Sequence, residues 1–258
     1  VAKDGSQAVP VTGPTYNVTQ PGKYTFTATS NAGLTTTKEV QVCLITFDSD
    51  GGSQVDSQLV VSGGTATEPT TPPTREGYTF DGWYDGTTPW KFDTAVTKNL
   101  NLTAKWTLNT PTVELKADKI SVTYGEPITL TANAGHSGGV GVTLSYAWYK
   151  DGTLLRGKTG NTLTLSDVTD SGSYHVVVTA EGDGQTQAVT SNAVTVDIAP
   201  LKVELSWNYT DPITYDGQKH TITATVDNQV GDDTFNLTYT GTREATDVND
   251  YTVTVTGV

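Results

Sequence analysis

Apolar residues recur at every second position in short runs, and Gly, Pro, Asn or Asp closes nearly every run. In Gly22–Ala28 the alternation sets Tyr24, Phe26 and Ala28 on one face, and Pro127–Ala132 repeats it. A period of two is the side-chain repeat of a pleated strand with one buried face. No window carries apolar residues at i, i+3, i+4 and i+7 for three turns, so the pattern predicts a nearly all-β chain. No apolar stretch approaches the ~20 residues that a membrane-spanning helix needs.

The turn residues divide these runs into four segments. In 1–42, Lys3-Asp4-Gly5 is a turn, Thr15–Val18 a short strand, and Gly22–Ala28 and Thr36–Val42 a hairpin closed by Asn31-Ala32-Gly33. Val40–Ile45 then runs on without a linker, which predicts a stiff passage into 43–109. There the loop 68–74, with Pro69, Pro72 and Pro73, is excluded from any central strand. Strict alternation along Gly77–Tyr84 places Phe80 and Tyr84 on one face and Trp83 on the other, while Trp90 shares its face with Phe92. A linker, Thr107–Thr112, leads to 110–199, and Ile198-Ala199-Pro200 to 200–258, where Val203, Leu205, Trp207 and Tyr209 alternate inward.

Three sets of motifs carry family resemblances. The order Ile45-Thr46-Phe47-Asp48, the Asp50-Gly51-Gly52 turn, a Pro-rich loop, Gly77-Tyr78-Thr79-Phe80-Asp81-Gly82-Trp83-Tyr84 and Leu102-Thr103-Ala104-Lys105-Trp106 resembles the Listeria–Bacteroides repeat, the B-repeat of internalins. That resemblance implies a small β-grasp-like fold and an exported, modular bacterial surface protein. Segment 110–199, with Trp148 on a strand ending at Asp151-Gly152 and Asp170-Ser171-Gly172-Ser173-Tyr174 as a tyrosine corner, resembles an immunoglobulin-like (Ig-like) sandwich of bacterial surface type. Ala132 and Val176 stand where antibody domains carry the inter-sheet disulfide, which forgoes ~2–4 kcal/mol of unfolded-state restriction. Segment 1–42 resembles the later strands of another such module. Segment 200–258, with Tyr215-Asp216-Gly217, Leu237–Gly241 and Tyr251-Thr252-Val253-Thr254-Val255-Thr256-Gly257, is similar to MBG (YDG-type) modules of large adhesins, with Asp250 where those modules have Gly.

Composition narrows the function classes. Twenty-eight acidic against 15 basic residues give a net charge of −13, and the basic residues are scattered singly, which argues against a nucleic-acid partner. The chain begins at Val1 and has no Met, so it is expected to be an excised or processed fragment whose leader or wall anchor lies elsewhere. Cys43 has no second cysteine to pair with and reads as a small buried apolar residue.

Candidate chemistry is sparse. Gly135-His136-Ser137-Gly138-Gly139 fits the G-x-S-x-G nucleophile elbow, but the elbow needs a parallel strand before it and a helix after it, and strands flank it here. Asp48-Ser49-Asp50-Gly51 starts like a calcium loop, yet Leu59 occupies the place of the terminal Glu. No cofactor is expected, although Asp167 with Asp170 or Asp232-Asp233 leaves a structural calcium at a module junction as an alternative. The histidines at 136, 175 and 220 have no cysteine near them, so no zinc site is visible. A Lys–Asn isopeptide crosslink of the pilin kind is not expected, since Lys23, Lys38, Lys150 and Lys202 read as outward or terminal.

Binding residues are sought among aromatics. Trp148 and Trp207 read as core. Trp83 and Trp90 are read as core of a small module, with sugar stacking by them or Tyr84 as the alternative. In the sandwich, inward Trp148, Tyr174, Val176 and Val178 leave Tyr149, His175 and Val177 as one outward patch on neighbouring strands. The sequence therefore predicts an elongated tandem array of Ig-like sandwiches and small β modules. It is read as a non-catalytic stalk or adhesin segment of a bacterial cell-surface or secreted protein. Its partner would be an unidentified protein or glycan of a host or neighbouring cell. The alternative is an accessory carbohydrate-binding region of an extracellular carbohydrate-active enzyme. Small-angle scattering is expected to give roughly twice the ~18 Å radius of gyration of a compact chain of this length; a value near 18 Å would contradict the array.

Overall fold

A computed structural model describes the chain except residues 12–14, 139–140, 210–211, 215, 247–251 and 258. Gly139, Tyr215, Asp250 and Tyr251, all parts of the motifs given above, lie outside the described residues. The chain is all-β. Its one helical element among the described residues is a 3-10 turn at Val168–Asp170. It divides into two compact units, one of residues 1–112, 134–145 and 178–189, the other of 113–133, 146–177 and 190–258.

In the first unit one seven-stranded sheet contains β1 (Ala2–Lys3), β2 (Gly22–Thr29), β3 (Thr35–Asp48), β4 (Gln58–Val61), β5 (Tyr78–Asp85), β6 (Thr88–Pro89) and β7 (Leu100–Leu108). The order is β1-β2-β3-β7-β5-β6, with β4 paired to β3 as well. Strand β3 runs unbroken for 14 residues through the junction at 42/43, as the missing linker predicts. Residues 1–42 thus share a sheet with the next segment, and Thr15–Val18 is not a strand. β3 and β7 pair in parallel, Ile45 opposite Leu100 through Asp48 opposite Thr103. Cys43, Ile45, Phe47, Leu102, Ala104 and Trp106 line the core beneath them. Each large apolar side chain buried there contributes roughly 1.5–3 kcal/mol.

The pairing of β5 with β7 corrects one sequence expectation. Phe80 lies opposite Trp106 and Gly82 opposite Lys105, so Asp81 is an extra, bulged residue. A bulge moves every later side chain to the other face. Trp83 therefore joins Phe80 on the core side, 4 % exposed and edge-on to Phe47 and Phe80 at 4.8 and 5.5 Å. Gly82, at φ +133, adopts a backbone that other residues rarely take.

The next segment builds two sheets from β8 (Thr112–Ala117), β9 (Ser121–Thr123), β10 (Ile128–Gly135), β11 (Thr143–Lys150), β12 (Thr153–Leu154), β13 (Thr162–Leu165), β14 (Gly172–Gly182), β15 (Gln185–Thr190) and β16 (Val194–Ala199). One sheet is β13-β10-β8, and the other β12-β11-β14-β16-β9 with β15 also on β14. The linker before it is shorter than read, only 109–111. Ile128, Leu130, Ala132, Leu163 and Leu165 of the first sheet and Trp148, Tyr174, Val176 and Ile198 of the second are fully or almost fully buried. Ala132 and Val176 occupy buried sites without a crosslink, as expected.

The last segment carries β17 (Leu205–Trp207), β18 (His220–Thr221), β19 (Ala224–Val226), β20 (Thr238–Gly241), β21 (Glu244–Ala245) and β22 (Val253–Gly257), in three two-stranded ladders. Inward alternation holds through Trp207, which packs edge-on to Tyr239 at 6.4 Å, but ends before Tyr209, which is 39 % exposed.

Candidate functional site

Strands β11 and β14 are neighbours, and they place Tyr149, His175 and Val177 as the alternation predicts. Trp148, Tyr174, Val176 and Val178 are buried, while the three residues between them are half-exposed. The Tyr149 and His175 rings stack with centroids 4.8 Å apart and planes within 5°. That separation equals the spacing of adjacent strands, so both rings stand upright from the sheet with inner faces against each other. Leu154, directly opposite Tyr149 on β12 and 43 % exposed, extends the row across a third strand. The result is an apolar and aromatic stripe with Val177 beside it.

Local sequence fixes this face. The Tyr174 hydroxyl donates to the Asp170 carbonyl at 2.6 Å, closing the tyrosine corner. The Asp170 carboxylate accepts from the Ser166 and Asp167 amides, and Asp167 caps the 3-10 turn through the Thr169 amide. The hydroxyl and amide of Thr169 hold the Asp167 carboxyl below the usual range. Burial, with Asp170 and Asp151 near, pushes the Tyr174 phenol up to about 12. Beneath Tyr149, the Trp148 indole donates to the Gly160 carbonyl at 2.8 Å.

The tryptophans considered for sugar stacking sit differently. Trp83 is enclosed, with no open ring face. Trp90 is half-buried, and it packs with Phe92 against the same core. Tyr84 is half-buried on β5.

The elbow-like loop has another occupation within the first unit. The Ser137 hydroxyl accepts from the Asn109 side-chain amide at 3.0 Å. His136 Nδ1 accepts from the Gly138 amide, so Nε2 carries the proton and donates to the Asn109 carbonyl at 2.8 Å. Both ring nitrogens are thus held by backbone, and neither serves Ser137. The loop seats against Gly77, where a Cβ would lie 2.2 Å from the Gly138 carbonyl oxygen.

Around it are residues that sequence reasoning missed. Gln185 donates to the Trp106 carbonyl and accepts from the Leu108 amide, both at 2.9 Å, as a neighbouring strand would. Arg75 pairs with Asp183 and lies over the Tyr78 ring, 4.1 Å from its centroid. Burial first, then the Asp183 charge, raises the Tyr78 phenol. Val142, Leu144 and Ala180 add to the apolar core of β3, β5 and β7. Asp183 and Gly184 form the turn between β14 and β15, and nothing in their sequence marks the partner.

Among the described residues, no three His, Cys, Asp or Glu side chains gather as a metal site. Asp48 accepts from the Asp50 amide within its turn, and Asp233 accepts from the Tyr124 hydroxyl. No helix of the described residues is long and apolar enough to cross a membrane.

Comparison with known proteins bears on the first unit most directly. Residues 44–105 match the Listeria-Bacteroides repeat domain. A stretch of 138 residues is 35 % identical to a "Putative membrane protein" of Evansella cellulosilytica, covering 48 % of this chain and 20 % of that protein. A stretch of 141 residues is 34 % identical to a "Putative Gly-rich membrane protein" of the same organism, covering 50 % of this chain and 15 % of the relative. The chain thus spans a fifth or less of these relatives' length. Residues 44–105 are a Listeria–Bacteroides repeat domain, a module typical of bacterial surface proteins.

Proposed function

We propose that the chain is a non-catalytic stalk and interaction segment of a bacterial cell-surface or secreted protein. The repeat domain at 44–105 carries this reading, and the membrane-protein relatives support it. The Trp148 core, the tyrosine corner and the two-sheet arrangement favour an Ig-like module at 110–199. The YDG-type reading of 200–258 rests on sequence resemblance alone.

The contact face is the Leu154–Tyr149–His175 row with Val177. Its rings present edges and apolar flanks rather than a flat platform, which suits a protein partner better than a sugar ring. A net charge of −13 sets copies of this chain against one another, so a neutral or basic protein of another kind fits best. In cells making the parent protein, Tyr149→Ser with Val177→Ser is expected to lower adhesion several-fold with surface display unchanged. Unaltered adhesion would remove this face from the account.

A further inference from the structure

We propose that this chain bears tension, with segments 44–108 and 112–199 acting as two shear clamps and the β2–β3 hairpin yielding ahead of them. The argument starts from direction. A chain pulled at its ends draws the entering strand of a module toward its own N-terminus and the leaving strand toward its C-terminus. Antiparallel neighbours loaded this way at their open end lose bonds one at a time. Parallel neighbours slide along each other and load all their evenly spaced bonds together.

In the repeat domain β3 enters, β7 leaves, and the two pair in parallel over four residues each. Side chains lock both ends of that ladder. The Leu44 amide donates to Asn99 Oδ1 at 2.8 Å on one side. The buried Trp106 Nε1 donates to the Ser49 carbonyl at 3.0 Å on the other. Between them the Thr46 hydroxyl reaches the Leu100 carbonyl and the Asn101 side chain.

The next segment repeats the arrangement with unrelated residues. Its last strand β16 pairs in parallel with the early strand β9, Asp197 opposite Ser121 through Ala199 opposite Thr123. Backbone bonds from Asp197 to Ile120 and from Tyr124 to Ala199, at 2.9 and 2.8 Å, lengthen the ladder. Asn192, just before β16, holds the first strand β8 by bonding both the amide and the carbonyl of Leu115, at 2.9 and 3.0 Å. Parallel pairs require a long crossover and are slightly weaker per residue than hairpins, so folding alone does not favour them. The leaving strand of each module is nonetheless paired in parallel with a strand near the module's start, β3 in the first and β9 in the second, which is what tension along the chain would reward.

The hairpin is built the other way. Gly22 stands opposite Val42, so the pull enters β2 at the open end and unzips it toward the turn. Thr35–Glu39 are exposed, with no core to hold them. Releasing 22–42 would add roughly 70 Å of chain. Where the force originates rests on the surface reading; the clamp geometry does not.

The test is to stretch the purified 258-residue chain by its ends in an optical trap or force microscope. The hairpin is expected to open first. Two later events, releasing on the order of 200 and 300 Å, should need at least about twice its force, since rupture reports the unfolding barrier rather than equilibrium stability. Asn99→Ala should lower the force of the shorter event alone, and Asn192→Ala that of the longer event alone. Thr46→Val is the milder probe if Asn99→Ala fails to fold. Modules that yield at the hairpin's force, or variants that shift denaturant midpoints without shifting rupture force, would overturn the proposal. Either result would leave the surface reading standing, because the measurement is made on purified chain.

Discussion

Gly77→Ala is expected to destabilise the first unit by about 2–5 kcal/mol, whereas Gly63→Ala should cost only about 1–2 kcal/mol. Both glycines have left-handed backbones, at φ +82 and +91, so both substitutions carry the steric penalty of that region. At Gly63 a Cβ would meet nothing within 4 Å. At Gly77 it would lie 2.2 Å from the Gly138 carbonyl oxygen and 3.1 Å from the His136 ring. Backbone cannot swing aside as a side-chain tip can, so the loop carrying His136 and Ser137 must lift. The bonds from His136 and Ser137 to Asn109 go with it. Denaturant midpoints of the two variants measure the difference. Equal losses would show that the loop is not seated on Gly77.

The second large effect belongs to Tyr174 and appears at alkaline pH. Its phenol is 1 % exposed and its pKa is raised to about 12, chiefly by burial and then by Asp170 and Asp151. A raised value means that the fold prefers the neutral phenol. The stabilisation is complete below the ordinary tyrosine value near ~10 and is lost as pH climbs toward about 12. Two units correspond to roughly 2–3 kcal/mol. Tyr174→Phe removes the titrating group, so the loss across this window should be smaller by that amount. The variant also forfeits the hydrogen bond to the Asp170 carbonyl, costing about 1–2 kcal/mol at neutral pH. Stability followed from pH 8 to 12 in both proteins checks the claim, and parallel curves would refute it.

What could be read from residues alone followed the range of each signal. Alternation is local, so the strands around Tyr24, Leu130, Trp148 and Tyr174 were legible, as was the outward set Tyr149, His175 and Val177. The tyrosine corner was legible because its donor and acceptor are four residues apart. Trp83 was misplaced because a bulge at Asp81 leaves no trace in a period-two pattern until the partner strand is known. Thr15–Val18 has strand-like residues but lacks a strand to pair with. The bonds from Gln185 to Trp106 and Leu108 join residues almost 80 positions apart, and one polar side chain cannot announce such a partner. The glycine-rich 135–138 loop looked like chemistry for the same reason. Its glycines and its serine answer to Gly77 and Asn109, which are far off in sequence.

The most direct test of the functional account is brief protease treatment of intact bacteria that make the parent protein. Peptides from residues 1–258 should be released into the medium while a cytoplasmic marker stays inside. Recovery of those peptides only after lysis, with none from intact cells or the culture medium, would contradict a place outside the cell.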